Sequence, residues 1–306
     1  MNRRRLILFI VGLVIVAAIG LIMYVSSTAY DVLSLPGDAV APATPSGSFE
    51  DVTFPSRSQN YKVHGFYLSG QNSKAALISV HGWKATRHDK YHLDRAASLH
   101  DLGYTVLSID LQDNGGDTVE DGRLSMGYKE RYDVLGAFDY LLTRGFVANK
   151  IGLVGESEGG TTVLMAAGSE PRIKAIWEDS GYARADSVLT EQAQNFGYPS
   201  VIVLPGMIWG FLKTGDRIWE VTPIDLGPTF AANKQSVYII HDEQDKRVLY
   251  HHGVDLYNAY QNVRVDVTFW SLPDTTFPDE AHAVAITYHH DEYLKRLDEF
   301  FKQKLG

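Results

Sequence analysis

A serine bracketed by glycines, in the stretch from Lys150 to Gly168, constrains this chain more than any other feature of its sequence. A short apolar run leads into the hexapeptide GESEGG, and a segment rich in Thr, Leu, Met and Ala follows. Gly155 and Gly159 flank Ser157 at the G-x-S-x-G spacing, where a larger side chain would crowd a sharp turn. The pattern predicts a buried strand, a turn with the serine at its apex, and a helix whose first N–H groups face that serine.

The rest of the chain alternates short apolar runs with helical patterns, which predicts a mostly parallel central sheet flanked by helices. Strands are predicted at 49–55, 61–68, 75–80, 104–109, 151–154, 173–177, 236–240 and 265–270, and helices at 91–102, 128–142, 250–260 and 285–302. The alternation stops between residues 182 and 222, where aromatic and aliphatic residues are interrupted by Pro and Gly. We expect an inserted helical cap there rather than further sheet.

The loops after the last two predicted strands contain the partners that a nucleophilic serine needs. A serine hydroxyl needs a base to accept its proton, and a histidine base needs a carboxylate to orient it. In a parallel sheet the functional loops lie beyond the carboxyl ends of the strands. Asp245 follows the strand at 236–240, and His282 is the histidine of the loop at 274–283. We therefore predict Ser157 as nucleophile, Asp245 as acid and His282 as base.

Other residues compete for these roles. Asp242 is an alternative acid, although a carboxylate at that position also suits a turn cap. His289 and His290 are alternative bases, but they lead into the C-terminal helix and are expected on its solvated face. His88 and His92 are spaced to bind a metal from one helix face, but the sequence offers no third ligand. We expect these two histidines on a solvated helix face, and we predict neither a metal nor a cofactor.

From Phe49 onward the chain resembles the α/β-hydrolase superfamily. The matching residues are VHGW at 80–83, the GESEGG turn, Asp245 followed by Val248, and His282 before the final helix, and their order along the chain is that of α/β-hydrolases. Within the superfamily the chain is most similar to the membrane-tethered, Bem46-like branch of the serine aminopeptidase and monoacylglycerol lipase group. The resemblance implies an α/β-hydrolase fold and the same triad.

The resemblance also implies an oxyanion hole formed by the backbone N–H groups of Trp83 and Glu158. The sequence departs from the family pattern beside the nucleophile, where both Glu156 and Glu158 are acidic, and at Asp242, which replaces a common glycine. Two carboxylates beside a developing oxyanion are unfavourable unless they point away or have another role.

The N-terminal segment predicts a membrane anchor. Residues 6–25 carry no charge and are dominated by Ile, Leu and Val, which is the length needed to cross a bilayer as a helix. Three arginines at 3–5 precede this segment and no Lys or Arg follows it before Arg57, so the positive-inside rule places the N-terminus in the cytoplasm. The alternative is a signal peptide cleaved near Ala29, although the apolar segment is longer than is usual for one. We predict an anchor at 1–30, a flexible linker at 31–48 and a hydrolase domain at 49–306.

The composition of the chain excludes several classes of partner and of catalytic site. A net charge of −9 without a basic stripe argues against nucleic-acid partners, and the absence of cysteine excludes disulfides, a cysteine nucleophile and thiolate metal sites. We predict a membrane-tethered serine hydrolase, facing away from the cytoplasm, that cleaves a lipid or small acyl ester. The alternatives are a peptidase or thioesterase with the same triad, or a non-catalytic hydrolase-fold module that binds a partner.

Overall fold

The structure, a computed structural model, describes residues 2–38, 40–57, 59–70, 75–273 and 281–306. Within these ranges eight strands form one sheet in the order β1-β2-β4-β3-β5-β6-β7-β8. The strands are β1 Glu50–Pro55, β2 Lys62–Leu68, β3 Ala76–Val80, β4 Thr105–Ile109, β5 Ile151–Glu156, β6 Ala175–Asp179, β7 Ser236–Asp242 and β8 Asp266–Leu272. Strand β2 pairs antiparallel with β1 and β4, and the remaining neighbours are parallel. The predicted mostly parallel sheet is confirmed.

Helices connect and cover the strands. They are α1 Arg3–Leu33, α2 Lys90–Asp101, α3 Arg131–Thr143, α4 Glu158–Ser169, α5 Ala185–Asn195, α6 Val203–Thr214, α7 Gly227–Asn233, α8 His251–Asn262, α9 Ala285–Tyr288 and α10 His290–Leu305. Short 3₁₀ helices cover Ala148–Lys150, Ser200–Ile202, Ile218–Glu220 and Pro223–Leu226. The prediction of a single C-terminal helix at 285–302 is wrong. The backbone leaves the helical region at His289 (φ −121°, ψ 38°), and this break separates α9 from α10.

Two apolar cores, one on each face of the sheet, explain why β3 to β7 are buried along their whole length. Alternate residues of one strand point to opposite faces, so Ile78 joins the core under α3, α4 and α8, whereas Leu77 joins the core under α2 and α10. Trp177 fills the second core, where it stacks on Tyr238 and donates a hydrogen bond to the hydroxyl of Tyr293 (2.8 Å). Helices on both faces leave the carboxyl edge of the parallel strands open for a site.

The segment between β6 and α7 forms the cap, which consists of α5, α6 and the adjoining 3₁₀ helices. Its inward-facing side chains, among them Val188 and Met207, pack on Tyr182 and on Met165 of α4. Tyr30 of the N-terminal helix belongs to the same apolar cluster. The cap therefore contacts both the hydrolase body and α1.

Helix α1 is 31 residues long and apolar enough to cross a membrane, and its most apolar part is not buried against the rest of the protein. A signal sequence meets the same criteria. The helix continues to Leu33, past the anchor boundary predicted at residue 30. Beyond it the carbonyl of Ser34 accepts a hydrogen bond from the amide of Leu124 (2.8 Å), so the chain after α1 starts in contact with the body.

Candidate active site

A sharp turn presents Ser157 at the carboxyl edge of the sheet. Strand β5 ends at Glu156, Ser157 adopts φ 53° and ψ −126°, and α4 begins at the next residue. A Cβ atom on Gly155 would lie 2.3 Å from the carbonyl oxygen of Gly159, and one on Gly159 would lie 2.3 Å from that of His81. The two glycines of the G-x-S-x-G pattern are therefore required by close backbone contacts. A positive φ at a non-glycine residue is strained, and here it holds the hydroxyl away from the sheet.

The structure brings together the three side chains predicted as a triad. The hydroxyl Oγ of Ser157 lies 2.8 Å from Nε2 of His282, and Nδ1 of His282 lies 2.7 Å from Oδ2 of Asp245. These residues are separated by up to 125 positions in the chain, and each follows the carboxyl end of a parallel strand. The geometry allows the hydroxyl to pass its proton to an imidazole whose other nitrogen donates to a carboxylate.

The carboxylate of Asp245 is buried and held from several directions. Its Oδ1 accepts hydrogen bonds from the amides of Arg247 (2.8 Å) and Val248 (3.0 Å). Burial alone would raise the pKa of Asp245, but the imidazoles of His241 and His282 outweigh burial and lower the pKa to about 2. Asp245 is therefore ionised at neutral pH. The alternative acid, Asp242, accepts a hydrogen bond from the amide of Gln244 (2.7 Å), which is the role of a turn cap.

Ser180, which the sequence analysis did not single out, fixes the backbone beside His282. Its hydroxyl accepts a hydrogen bond from the amide of Ala283 (3.2 Å) and donates one to the side chain of Asp179 (2.9 Å). Ser180 and Ala283 both have positive φ angles, 58° and 55°. The available sequence signal was the position of Ser180 directly after β6, at the same edge of the sheet as the sharp turn at residues 155–159 that carries Ser157, which we call the elbow. Residues 274–280 of the predicted histidine loop lie outside the described residues.

The segment after β3 lies against the nucleophile. A Cβ atom on Gly82 would lie 3.1 Å from Cβ of Ser157, so the chain passes the serine at van der Waals distance. His81 is buried; its Nε2 accepts a hydrogen bond from the amide of Leu111 (2.9 Å), which leaves Nδ1 to donate to the carbonyl of Gly82 (2.8 Å). Burial lowers the pKa of His81, which keeps this imidazole neutral. The ring thus fixes the loop on which the predicted oxyanion donor lies.

The two predicted oxyanion donors have free amides at this position. The amide of Trp83 has no acceptor in the described ranges, and Glu158 is the first residue of α4, where an amide has no acceptor within its own helix. The loop after β3 and the residue that follows Ser157 thus each offer one amide donor, and an oxyanion hole requires such donors.

Glu156 lies behind the elbow and pairs with a buried cation. Arg95 of α2 donates hydrogen bonds to the carboxylate of Glu156 and to the carbonyl of Val80. Burial raises the pKa of Glu156, and the guanidinium of Arg95 opposes that rise. His92 lies 3.3 Å from the same carboxylate and is buried. The expectation that His88 and His92 lie on a solvated helix face is wrong, because both side chains are buried and His88 precedes α2.

Glu158 has a different environment from Glu156. Its side chain is buried, and neither carboxyl oxygen has a hydrogen-bond partner among the described residues. Burial raises the pKa of Glu158 well above its usual value, and the nearby carboxyl of Glu130 raises it further. Burial thus favours the uncharged form of Glu158. The charge of Glu156 is balanced by Arg95, and burial disfavours a charge on Glu158.

A cluster between the cap and the body has the composition of a metal site. Glu191 of α5 contacts Nε2 of His251 (2.8 Å) and Nε2 of His252 (2.9 Å), both of α8. The amide of Ala183 donates to Nδ1 of His252 (3.2 Å), so that nitrogen is unprotonated and Nε2 carries the proton. A metal ligand needs the opposite arrangement, with the second nitrogen donating to an acceptor. The cluster therefore fits a hydrogen-bonded contact between cap and body better than an ion.

Comparisons with known proteins agree with this architecture. The sequence matches the prolyl oligopeptidase family over residues 91–306, and no curated protein matches it. An esterase of Pyrococcus furiosus aligns over 89% of this chain and 99% of its own, at 20% identity and a TM-score of 0.70. An acylaminoacyl peptidase of Pyrococcus horikoshii aligns over 85% of this chain and 42% of its own, at 19% identity and a TM-score of 0.64.

A third similar structure is an α/β-hydrolase, GrgF, of Penicillium sp. sh18. It aligns over 85% of this chain and 99% of its own, at 14% identity and a TM-score of 0.63. The predicted α/β-hydrolase fold is confirmed.

Proposed function

The chain belongs to the prolyl oligopeptidase family of α/β-hydrolases and is a serine hydrolase, and on that premise we propose that it is a membrane-tethered esterase that forms an acyl-enzyme on Ser157. The observation that carries this proposal is the pair of contacts made by His282, 2.8 Å to Ser157 Oγ and 2.7 Å to Asp245 Oδ2. A serine hydroxyl without such a base is a poor nucleophile.

In the proposed mechanism Ser157 Oγ attacks the ester carbonyl while its proton passes to Nε2 of His282. The carboxylate of Asp245 accepts the Nδ1 hydrogen bond and stabilises the imidazolium. The tetrahedral intermediate collapses, the carbon–oxygen bond to the alcohol breaks, and the alcohol leaves with the proton from His282. A water molecule then attacks the acyl-enzyme, again with His282 as base, and releases the acid and the free serine.

The oxyanion of each intermediate would accept hydrogen bonds from the amides of Trp83 and Glu158. Removing one such donor typically costs about 10²–10³ in kcat. The raised pKa of Glu158 supports the proposal, because an ionised carboxylate there would oppose the developing charge. The pairing of Glu156 with Arg95 acts in the same direction.

A peptidase is the second candidate, because the matched family is named for an oligopeptidase and one similar structure is an acylaminoacyl peptidase. This chain spans less than half the length of that peptidase. The apolar cap favours an ester with a lipid or small acyl group. We expect higher kcat/KM on p-nitrophenyl esters than on aminoacyl p-nitroanilides, with both activities lost in Ser157→Ala. The reverse preference would assign the chain to the peptidases.

Helix α1 would be the tether, with the arginines at 3–5 in the cytoplasm and the hydrolase domain on the other side. The competing cleaved signal peptide predicts a mature protein that begins near residue 30. The mass of the protein purified from membranes separates the two, since the tether requires an intact N-terminus. A membrane-impermeant cysteine reagent that reaches Val147→Cys in intact cells would support the orientation.

A further inference from the structure

We propose that the tip of the cap, residues 196–204, inserts into the lipid bilayer beside the point where α1 leaves it. This inference rests on the tether proposed above, and it adds a second membrane contact that the tether does not require. The partner surface is lipid.

Helix α1 packs along α6 of the cap, and the two helices run in the same direction. A Cβ atom on Gly206 would lie 3.3 Å from the carbonyl oxygen of Ser26, and one on Gly210 would lie 2.4 Å from the ring of Tyr30. One residue further along α1, Asp31 pairs with Lys213 of α6 (2.6 Å). Residues further along α1 contact residues further along α6. The first turn of α6 is therefore the part of that helix nearest to the exposed N-terminal part of α1.

The free part of α1 has the length of a membrane span. Residues 3–21 are all exposed, and partial burial begins at Ile22. At 1.5 Å per residue the exposed part is about 28 Å long, close to the roughly 30 Å of a bilayer's hydrocarbon core. The residues at 200–202 lead into α6 and contact α1. Because Gly206 lies against Ser26 and the helices run in the same direction, this contact lies on the side of Ser26 that leads to the exposed part of α1. A bilayer that covers the exposed part of α1 therefore reaches the cap tip.

The cap tip has the surface chemistry of a membrane interface. Four of its apolar or aromatic side chains are at least half exposed: Phe196 (68%), Tyr198 (50%), Val201 (54%) and Leu204 (62%). No charged residue occurs between Gln192 and Leu212, so insertion would desolvate no side-chain charge. Exposed apolar patches on this scale mark interaction sites, and aromatic residues are enriched where membrane meets water. Lipid is favoured over a protein partner because the patch continues the lipid-facing surface of α1.

The absence of cysteine allows a direct test with single-cysteine variants of the full chain, each labelled with an environment-sensitive fluorophore and reconstituted in nanodiscs. Leu204→Cys reports on the cap tip, and Val14→Cys reports on the span. Val147→Cys is the control: it is similarly exposed (59%) but precedes β5, at the edge of the sheet opposite the active site. Labelling of Ser157 by a fluorophosphonate verifies that each variant is folded.

We expect the probes at 204 and 14 to be blue-shifted and quenched by quenchers attached to lipid chains, and the probe at 147 to be quenched only by water-soluble iodide. If iodide quenches the probe at 204 and lipid-attached quenchers do not, while the probe at 14 lies in lipid, the cap tip does not insert. This result would overturn the inference and leave the tether intact. A probe at 204 that is shielded from iodide but not reached by lipid quenchers would also overturn it, in favour of a protein partner. A probe at 14 in water would overturn both proposals.

Discussion

Nε2 of His241 lies 3.5 Å from Oδ2 of Asp245, the same oxygen that His282 approaches. Both side chains of this pair are fully buried, and the ring of His241 is held by the carbonyl of Val248 (2.8 Å). Asp245 thus receives support from an imidazole other than the predicted base. Burial lowers the pKa of His241, but the adjacent carboxylate of Asp245 outweighs burial and raises it. The acid of the triad is therefore part of a larger buried network.

Replacing His241 tests this network. His241→Phe removes the imidazole beside Asp245 and raises the pKa of that carboxyl, so we expect kcat/KM to fall roughly tenfold, which corresponds to about 1.4 kcal/mol. The loss is larger at acidic pH, where Asp245 becomes protonated. His241→Gln keeps a donor near the Nε2 position and should retain more activity. Identical pH profiles of kcat/KM in all three proteins would rule out this role.

Because Arg95 and Glu156 form a buried ion pair, we expect their contributions to the free energy of unfolding to be strongly coupled. Arg95→Met leaves a buried carboxylate without its cation, which typically costs about 3–5 kcal/mol of stability. The double variant Arg95→Met/Glu156→Gln removes both charges and should regain part of that loss. Urea unfolding of the single and double variants measures the coupling. If the two single losses simply add, the pair contributes no specific stability.

The raised pKa of Glu178 leads us to expect that the free energy of unfolding falls as pH rises. Burial raises the pKa of this carboxyl to about 8, although the nearby imidazole of His241 opposes the rise. Between about pH 4.5 and pH 8 the folded state therefore holds a proton that the unfolded state has lost, so the contribution of Glu178 to stability falls by about 1.4 kcal/mol per pH unit. Glu178→Gln keeps an acceptor for the amide of Gly181 and has no such dependence. Unfolding curves at several pH values should diverge in favour of the variant as pH rises; parallel curves would contradict the assignment.

We expect the contact between Gly210 and Tyr30 to hold the C-terminal part of α1 against the cap. Gly210→Val adds a side chain where a Cβ atom alone already clashes with the tyrosine ring, so the C-terminal part of α1 should detach from α6. Hydrogen exchange in residues 24–33 should then accelerate. Gly12→Val is the matched control, because no atom lies within 4 Å of its Cβ position. Equal exchange in the two variants would show that this contact does not hold the helix.

Local patterns were sufficient to predict the sheet, the elbow and the three residues that meet beside it. Strand–turn–helix alternation fixes which loops share the carboxyl edge of a parallel sheet, and the loops at that edge contain a serine, an acid and a histidine in the chain order of α/β-hydrolases. The meeting of Ser157, Asp245 and His282 follows from topology. Their catalytic roles remain a proposal, as do the oxyanion roles of Trp83 and Glu158.

Pairings between distant segments were not predictable in the same way. His92 has the spacing of a surface residue on α2, and only the fold brings it under Glu156. Residues 6–25 of helix α1 carry no charge and form no polar face, so this stretch gives no indication of which side of the helix packs on the cap. One signal was available on α6, where Gly206 and Gly210 are four residues apart, a spacing that permits close helix contact.

Fluorophosphonate labelling of the purified full chain, with the modified residue identified by mass spectrometry, tests the central claim most directly. The account predicts a single modification, on Ser157, that is absent in Ser157→Ala and strongly slowed in His282→Ala, together with a loss of ester hydrolysis of about 10⁶-fold in Ser157→Ala. Folded protein that does not label at Ser157, or ester hydrolysis that persists in Ser157→Ala, would contradict it.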